Sequence, residues 1–199
     1  MLYFPGDVTS GSASQPHQHL ICRERLLIQR YPDHLLRTDP LPPNDDMHLQ
    51  AAQGWLELGD WESANEELEE IDPNLRAHPD VLKVRIEVYV AAEQWDYVVE
   101  VARTLAHELP RDSFGHVHLA EALHGLGQTE EAWRTLVRVA HRFPKEWRVA
   151  YNLARYATRL GSLTEARELL SEAFTLGDAK ALKLRALVEP DLQPLWESS

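Results

Sequence analysis

One cysteine, Cys22, stands in 199 residues, so no intrachain disulfide can form and thiols are too few for a zinc site of the Cys-rich kind. That scarcity fits a reducing compartment, and a cytoplasmic protein is expected. The opening residues MLYFPGDVTSGSASQPHQHL contain neither a basic n-region nor a continuous apolar run, so no standard secretory signal is read there. Nowhere does the chain approach the roughly 18 consecutive apolar residues that a membrane span needs. Basic residues are also scarce: 20 Lys and Arg stand against 32 Asp and Glu, a formal net charge of −12. Nucleic-acid binding by phosphate neutralisation needs a basic face and gains its affinity from counterion release, so this balance excludes that mode. Signatures of common enzyme classes are missing: there is no G-x-x-x-x-G-K-[ST], no G-x-G-x-x-G, no H-E-x-x-H and no G-x-S-x-G. With 44% hydrophobic and 26% charged residues, the chain has the composition of an ordinary globular protein with a sizeable core.

What is plentiful is repetition. The stretch GWLELGDWESANEEL, residues 54 to 68, returns in outline at a period of 34 without insertions, in blocks 45–78, 79–112, 113–146 and 147–180. Position 8 of each block holds Ala52, Ile86, Ala120 and Ala154, and position 11 holds Trp55, Tyr89, Leu123 and Ala157. Position 15 holds Gly59, Glu93, Gly127 and Gly161; position 20 holds Ala64, Val98, Ala132 and Ala166; position 24 holds Leu68, Ala102, Leu136 and Leu170. Pro110 and Pro144 occupy position 32 of the middle two blocks. Within a block the apolar residues fall three, four and seven apart, twice over, with a turn between, which is the pattern of two amphipathic helices in a hairpin. Glycine suits that turn because it adopts positive φ freely, and Ser162 with Glu165 reads as a capping box for the helix that follows. Small side chains at positions 8 and 20 allow close helix approach, and Trp55, Trp61 and Trp95 fall on core places. One hairpin cannot bury both of its faces, so each completes its core against the next.

At these offsets the chain resembles the tetratricopeptide repeat (TPR) family. Its closing stretch GDAKALKLRALVEPDLQPLW is similar to the end of short stand-alone bacterial members. The resemblance covers 45–180 and implies an all-α fold: a right-handed superhelical array of four helical hairpins, an α-solenoid, with a C-terminal capping helix in 181–199. There are departures from the family pattern. His48 and His116 occupy position 4, Arg85 replaces an apolar residue at position 7, and Glu93 replaces the turn glycine. After Ala181 the run ALKLRAL starts a fifth first helix, with Leu184 and Leu187 at positions 4 and 7, until VEPDLQPLW stops it. Leu192, Leu195 and Trp196 then read as cover for the apolar end of the array. Residues 1–44 lie outside the register, carry four acidic and four basic residues, and read as a poorly ordered or partly helical leader. Its one candidate helix runs from Ile21 to Leu36, broken at Pro32. Met47, at the head of the first block, raises the alternative that the functional chain starts there.

The resemblance further implies that first helices line a concave face, with positions 2, 5, 6, 9, 12 and 13 directed into it. In the fourth block these are Arg148, Tyr151, Asn152, Arg155, Thr158 and Arg159. Arg148, Asn152, Arg155 and Arg159 are spaced four, three and four apart, so they form one stripe. Net charge runs −9, −3, 0 and +1 through the four blocks. With a Debye length of about 8 Å at physiological salt, local charge decides what each stretch attracts. Two readings of the stripe stand side by side. Guanidinium forks can take a carboxylate or phosphate of a partner, or the arginines belong to a structural ion network in which Arg155 faces Glu121. The carboxylate clamp of some family members would fall on Lys83, Glu87, His118, Arg148 and Asn152, where Glu87 opposes the bound charge. His118, Glu121 and His124 recur at steps of three, and His17, His19 and Cys22 cluster in the leader. Steps of three drift around a helix and zinc wants converging ligands, so neither metal nor cofactor is expected. The run Glu66, Glu67, Glu69 and Glu70 reads as a solvated face.

The reading is a non-catalytic protein–protein interaction module. Its concave groove, lined by Arg148, Tyr151, Asn152, Arg155, Arg159, His118, Glu121 and Lys83, takes a peptide or helix of another protein, with an anionic group expected at the fourth repeat. Neither nucleic acid nor membrane is a partner. The alternatives are a self-associating scaffold, in which the first repeat pairs with another copy as a homodimer, and a helper or metal-binding subunit of an enzyme.

Overall fold

The computed structural model describes residues 39–197. The candidate leader helix from Ile21 to Leu36 and the His17, His19 and Cys22 group lie outside the described residues. Eight helices form four hairpins: α1 (Pro43–Glu57) with α2 (Trp61–Glu70), α3 (Pro79–Ala91) with α4 (Trp95–Glu108), α5 (Ser113–Gly125) with α6 (Thr129–Ala140), and α7 (Trp147–Arg159) with α8 (Leu163–Leu176). A ninth helix, α9 (Ala179–Val188), a 3-10 turn (Pro190–Leu192) and the short α10 (Gln193–Glu197) follow. No strand occurs among the described residues.

Local chemistry sets the helix starts. Pro43 and Pro79 open α1 and α3, where a missing N–H costs nothing. The side chains of Asp60, Asp112, Glu146 and Asp178 accept from backbone N–H groups at the starts of α2, α5, α7 and α9, which satisfies donors that the helix itself leaves unpaired. The capping box expected at Ser162 does not form: its side chain makes no cap bond. Backbone closes that turn instead, with Ser162 N donating to Ala157 O at 2.9 Å. The hairpin turns need positive φ, and Gly59, Gly127 and Gly161 supply it at 79°, 79° and 84°. Glu93 takes the same conformation at 54°, at the strain a Cβ brings there.

Packing follows the repeat register. Ala52, Ala64, Ile86, Val98, Ala120, Ala132, Ala154 and Ala166, the paired positions 8 and 20, are all fully buried. Each hairpin packs its two helices together, and each first helix also touches the first helix of the next hairpin: α1 with α3, α3 with α5, α5 with α7. The core is therefore a row of nearest-neighbour interfaces. One apolar cluster runs from Leu49 to Tyr156, and a second joins α7 and α8 to Leu182, Ala186, Leu192 and Leu195, with Trp133 and Leu169 packed against both.

Three sequence expectations are corrected. Trp55 is 38% exposed, although its equivalents Tyr89, Leu123 and Ala157 are buried, because no described unit precedes the first hairpin to cover it. The acidic run on α2 is only half solvated. Glu66 and Glu70 are exposed, but Glu67 bonds His48 at 2.8 Å and Glu69 pairs with Arg76 at 2.6 Å and with Arg85 at 2.7 Å. Arg85 is fully buried and uses this carboxylate and the Leu68 carbonyl to tie α3 to α2, which is how position 7 tolerates a cation. Trp196 remains exposed, and of the three residues expected to cover the end of the array only Leu192 and Leu195 are buried, beside Leu182 and Ala186.

Candidate functional site

The first helices α1, α3, α5 and α7 stand side by side as one wall, and α3, α5 and α7 carry the residues singled out for binding. On α3, Lys83 Nζ lies 2.6 Å from Asp112 Oδ2 and 5.8 Å above the Phe114 ring. One turn along, Glu87 is accessible but crowded: burial pushes its carboxyl above the usual range, partly offset by the charges of His118 and Arg148. On α5, His118 lies against Phe114 with ring centres 4.2 Å apart, and its Nδ1 is 3.1 Å from Glu121 Oε2. Burial pushes the Glu121 carboxyl up, and the adjacent His118 with the more distant Arg155 outweighs that and holds it below its ordinary value. On α7, Arg148 is stacked 4.8 Å from the Trp147 ring, reaches Glu146 at only 3.4 Å and keeps 57% of its side chain exposed.

Further along α7 the wall is covered by the chain's own end. After α9 the segment Glu189–Leu192 folds back across α7 towards α5. Arg155 Nε and Nη2 donate to Asp191 Oδ2 at 3.1 and 2.8 Å, and Nε also lies 3.4 Å from Glu189 Oε1. His124 Nε2 approaches the same Asp191 oxygen at 2.8 Å, and Arg159 Nε stands 3.7 Å from Oδ1. Burial alone would raise the Asp191 carboxyl; the His124 hydrogen bond and the Arg155 charge overcome it and hold the group at about 2. Asn152 is spent internally, donating to Arg148 O at 3.1 Å and accepting from Arg155 Nη1 at 3.0 Å. Tyr151 is buried with the Arg185 guanidinium 5.3 Å over its ring.

The stripe therefore divides. Arg148 and Arg159 face solvent, whereas Tyr151, Asn152 and Arg155 are built into the attachment of the C-terminal segment. The ion network expected around Arg155 exists, but Glu189 and Asp191 are its partners, and Glu121 acts on Arg155 only as a nearby charge. Asp191 was missed because the segment carrying it reads from sequence as a stop signal. The clue was the pair of carboxylates in VEPD, next to a stripe in need of anions. The clamp geometry is not assembled, since Lys83 is held by Asp112 and Asn152 by its own helix. Among the described residues no group of three or more His, Cys, Asp or Glu is placed to hold a metal, and no helix is long and apolar enough to cross a membrane. An open depression of about 900 Å³ adjoins this wall along the loops between hairpins, bordered by Arg111, Arg142, Phe143 and Lys145 and by Asp112 and Glu146, the partners of Lys83 and Arg148.

No family profile matches the chain and no curated protein matches it in sequence. Solved structures do match in shape. A thermophilic TPR protein of Thermus thermophilus superposes with a TM-score of 0.64 at 20% identity, over 77% of this chain and 82% of that one. YrrB, described as a TPR protein with an unusual peptide-binding site, gives 0.56 at 18% identity over 85% of each chain. MamA of Desulfovibrio magneticus RS-1 gives 0.55 at 15% identity, over 80% of this chain and 93% of that one. The chain has the tetratricopeptide-repeat solenoid fold.

Proposed function

We propose that this chain is a non-catalytic interaction module that binds a segment of another protein along the open part of its concave wall, from Lys83 on α3 through His118 and Glu121 on α5 to Arg148 on α7. The observation that carries it is the contrast within the wall. Arg155 and Tyr151 are occupied by the C-terminal segment and Asn152 by its own helix, while Glu87 and Arg148 stay exposed on either side of the His118–Glu121 pair. Arg148 is the anion anchor at the fourth repeat: it is exposed and lies over Trp147, and an exposed guanidinium takes a carboxylate or phosphate in two-pronged fashion. A peptide-binding site in YrrB, a protein of the same fold, supports the class of partner. Chemistry on a substrate would need convergent acid, base or nucleophile groups, and the wall spreads its charged groups along its length.

Peptides selected from a random display library provide the test. Their affinity should fall at least tenfold with Arg148→Glu and change their preferred charge pattern with Glu87→Lys, and stay unchanged with Glu168→Lys on α8. Selected peptides that bind equally well to both wall variants, or that lose binding through Glu168→Lys, would overturn the assignment.

A further inference from the structure

Every hairpin in the array covers the face of its neighbour, and among the described residues two faces are left over. At the head, Met47 on α1 and Leu58 at its C-terminal cap lie eleven residues apart, about three turns and so nearly in line, at 57% and 77% exposure. At the tail, Leu184, Leu187 and Val188 follow the i, i+3, i+4 rule on the outer side of α9, at 59%, 59% and 77% exposure. α9 turns Leu182 and Ala186 inward instead, so the leucines at positions 4 and 7 of the unfinished fifth repeat point to where a further unit would stack. An apolar stripe of this kind marks an interaction surface.

Charge identifies the occupant. Around the head stripe, block 45–78 carries ten acidic residues and one basic, and that basic residue, Arg76, is tied to Glu69. Around the tail stripe, α9 carries Lys180, Lys183 and Arg185 and no acid; Glu189 and Asp191 are consumed at Arg155, which leaves Asp178 at its start and Glu197 beyond it as the exposed acids there, so bases still outnumber them. Head against head, or tail against tail, brings like charges within a Debye length of about 8 Å; head against tail brings opposite charges together around two apolar strips.

We infer that the tail of one copy stacks on the head of a second copy, α9 against α1, extending the solenoid from molecule to molecule. Such a contact is heterologous, with different patches on the two sides, so it repeats and builds open chains rather than a closed pair. It uses α1 at the edge of the wall and leaves the stretch from Lys83 to Arg148 free.

Sedimentation of the 199-residue chain and two double variants tests this. Met47→Glu/Leu58→Glu blocks the head and Leu184→Glu/Leu187→Glu blocks the tail, all at exposed positions. Wild type should form species beyond the dimer as concentration rises, reduced by salt. Each variant alone should be monomeric, and an equimolar mixture should give a heterodimer and nothing larger. Lys180→Glu/Lys183→Glu, which leaves the apolar stripe intact, should also weaken association. Wild type that stays monomeric, a blocked variant that dimerises by itself, or a mixture that stays monomeric would each overturn the inference.

Discussion

At the residue scale, two positions carry most of what is particular to this chain. Glu93 sits at φ 54° where the other three hairpins have glycine. An L-residue there costs roughly 1–2 kcal/mol, against which glycine loses somewhat more entropy on folding. Glu93→Gly should therefore stabilise by about 0.5–1 kcal/mol and raise Tm by about 2–4 °C in a chain of this size, measured by calorimetry; an unchanged or lower Tm would show that Glu93 is not strained. Asp191 is the second. Asp191→Asn removes the charge that pairs with the largely buried Arg155, and should cost about 2–3 kcal/mol in urea unfolding near neutral pH. The pH dependence has a definite sign. The folded carboxyl is held below its ordinary value of 3.8, at about 2, so its contribution is complete above 3.8 and disappears as the pH falls towards 2. The gap between wild type and variant should close over that window. The turn glycines and small contact residues were legible in the sequence because they answer to backbone sterics repeated at fixed offsets. The partners of Arg85 and Arg155 were not, since a buried ion pair depends on which distant segment folds back over it, 16 residues away for Glu69 and 36 for Asp191.

At the element scale, helix existence and hairpin register were readable from periodicity, while the fate of the C-terminal stretch was not. VEPDLQPLW reads as a stop, and it also closes the last core, placing Leu192 and Leu195 at 0% and 1% exposure. Because the array is a row of nearest-neighbour interfaces, loss of one end is felt locally. Ending the chain after Val188 should lower amide-exchange protection in α7, α8 and α9 by an order of magnitude or more and leave α1 to α4 within about twofold. Uniform loss of protection through all four hairpins would mean a single cooperative core. Gly115 was similarly opaque: a Cβ there would meet Ala106 N at 2.6 Å, a close helix approach that no motif announces.

At the scale of the whole molecule, the acidic-to-basic progression along the blocks was plain in the sequence, but its consequences needed the fold. The solenoid turns that progression into an anionic head, a wall of mixed charge and a nearly neutral tail whose basic residues gather on α9. Of the residues expected to line the wall, Arg148 and Arg159 stay exposed, whereas Arg155 and Tyr151 are spent on the C-terminal segment. On the reading proposed above, the exposed part of the concave wall is the working surface. Photo-crosslinking inside the source cell puts that to the sharpest test, with the reactive side chain placed either at His118 on the wall or at Glu168 on the outer face. Discrete adducts with another protein are expected from position 118, abolished by Arg148→Glu, and none from position 168. Adducts from 168 alone, or adducts from 118 that survive Arg148→Glu undiminished, would show that the partner is held elsewhere.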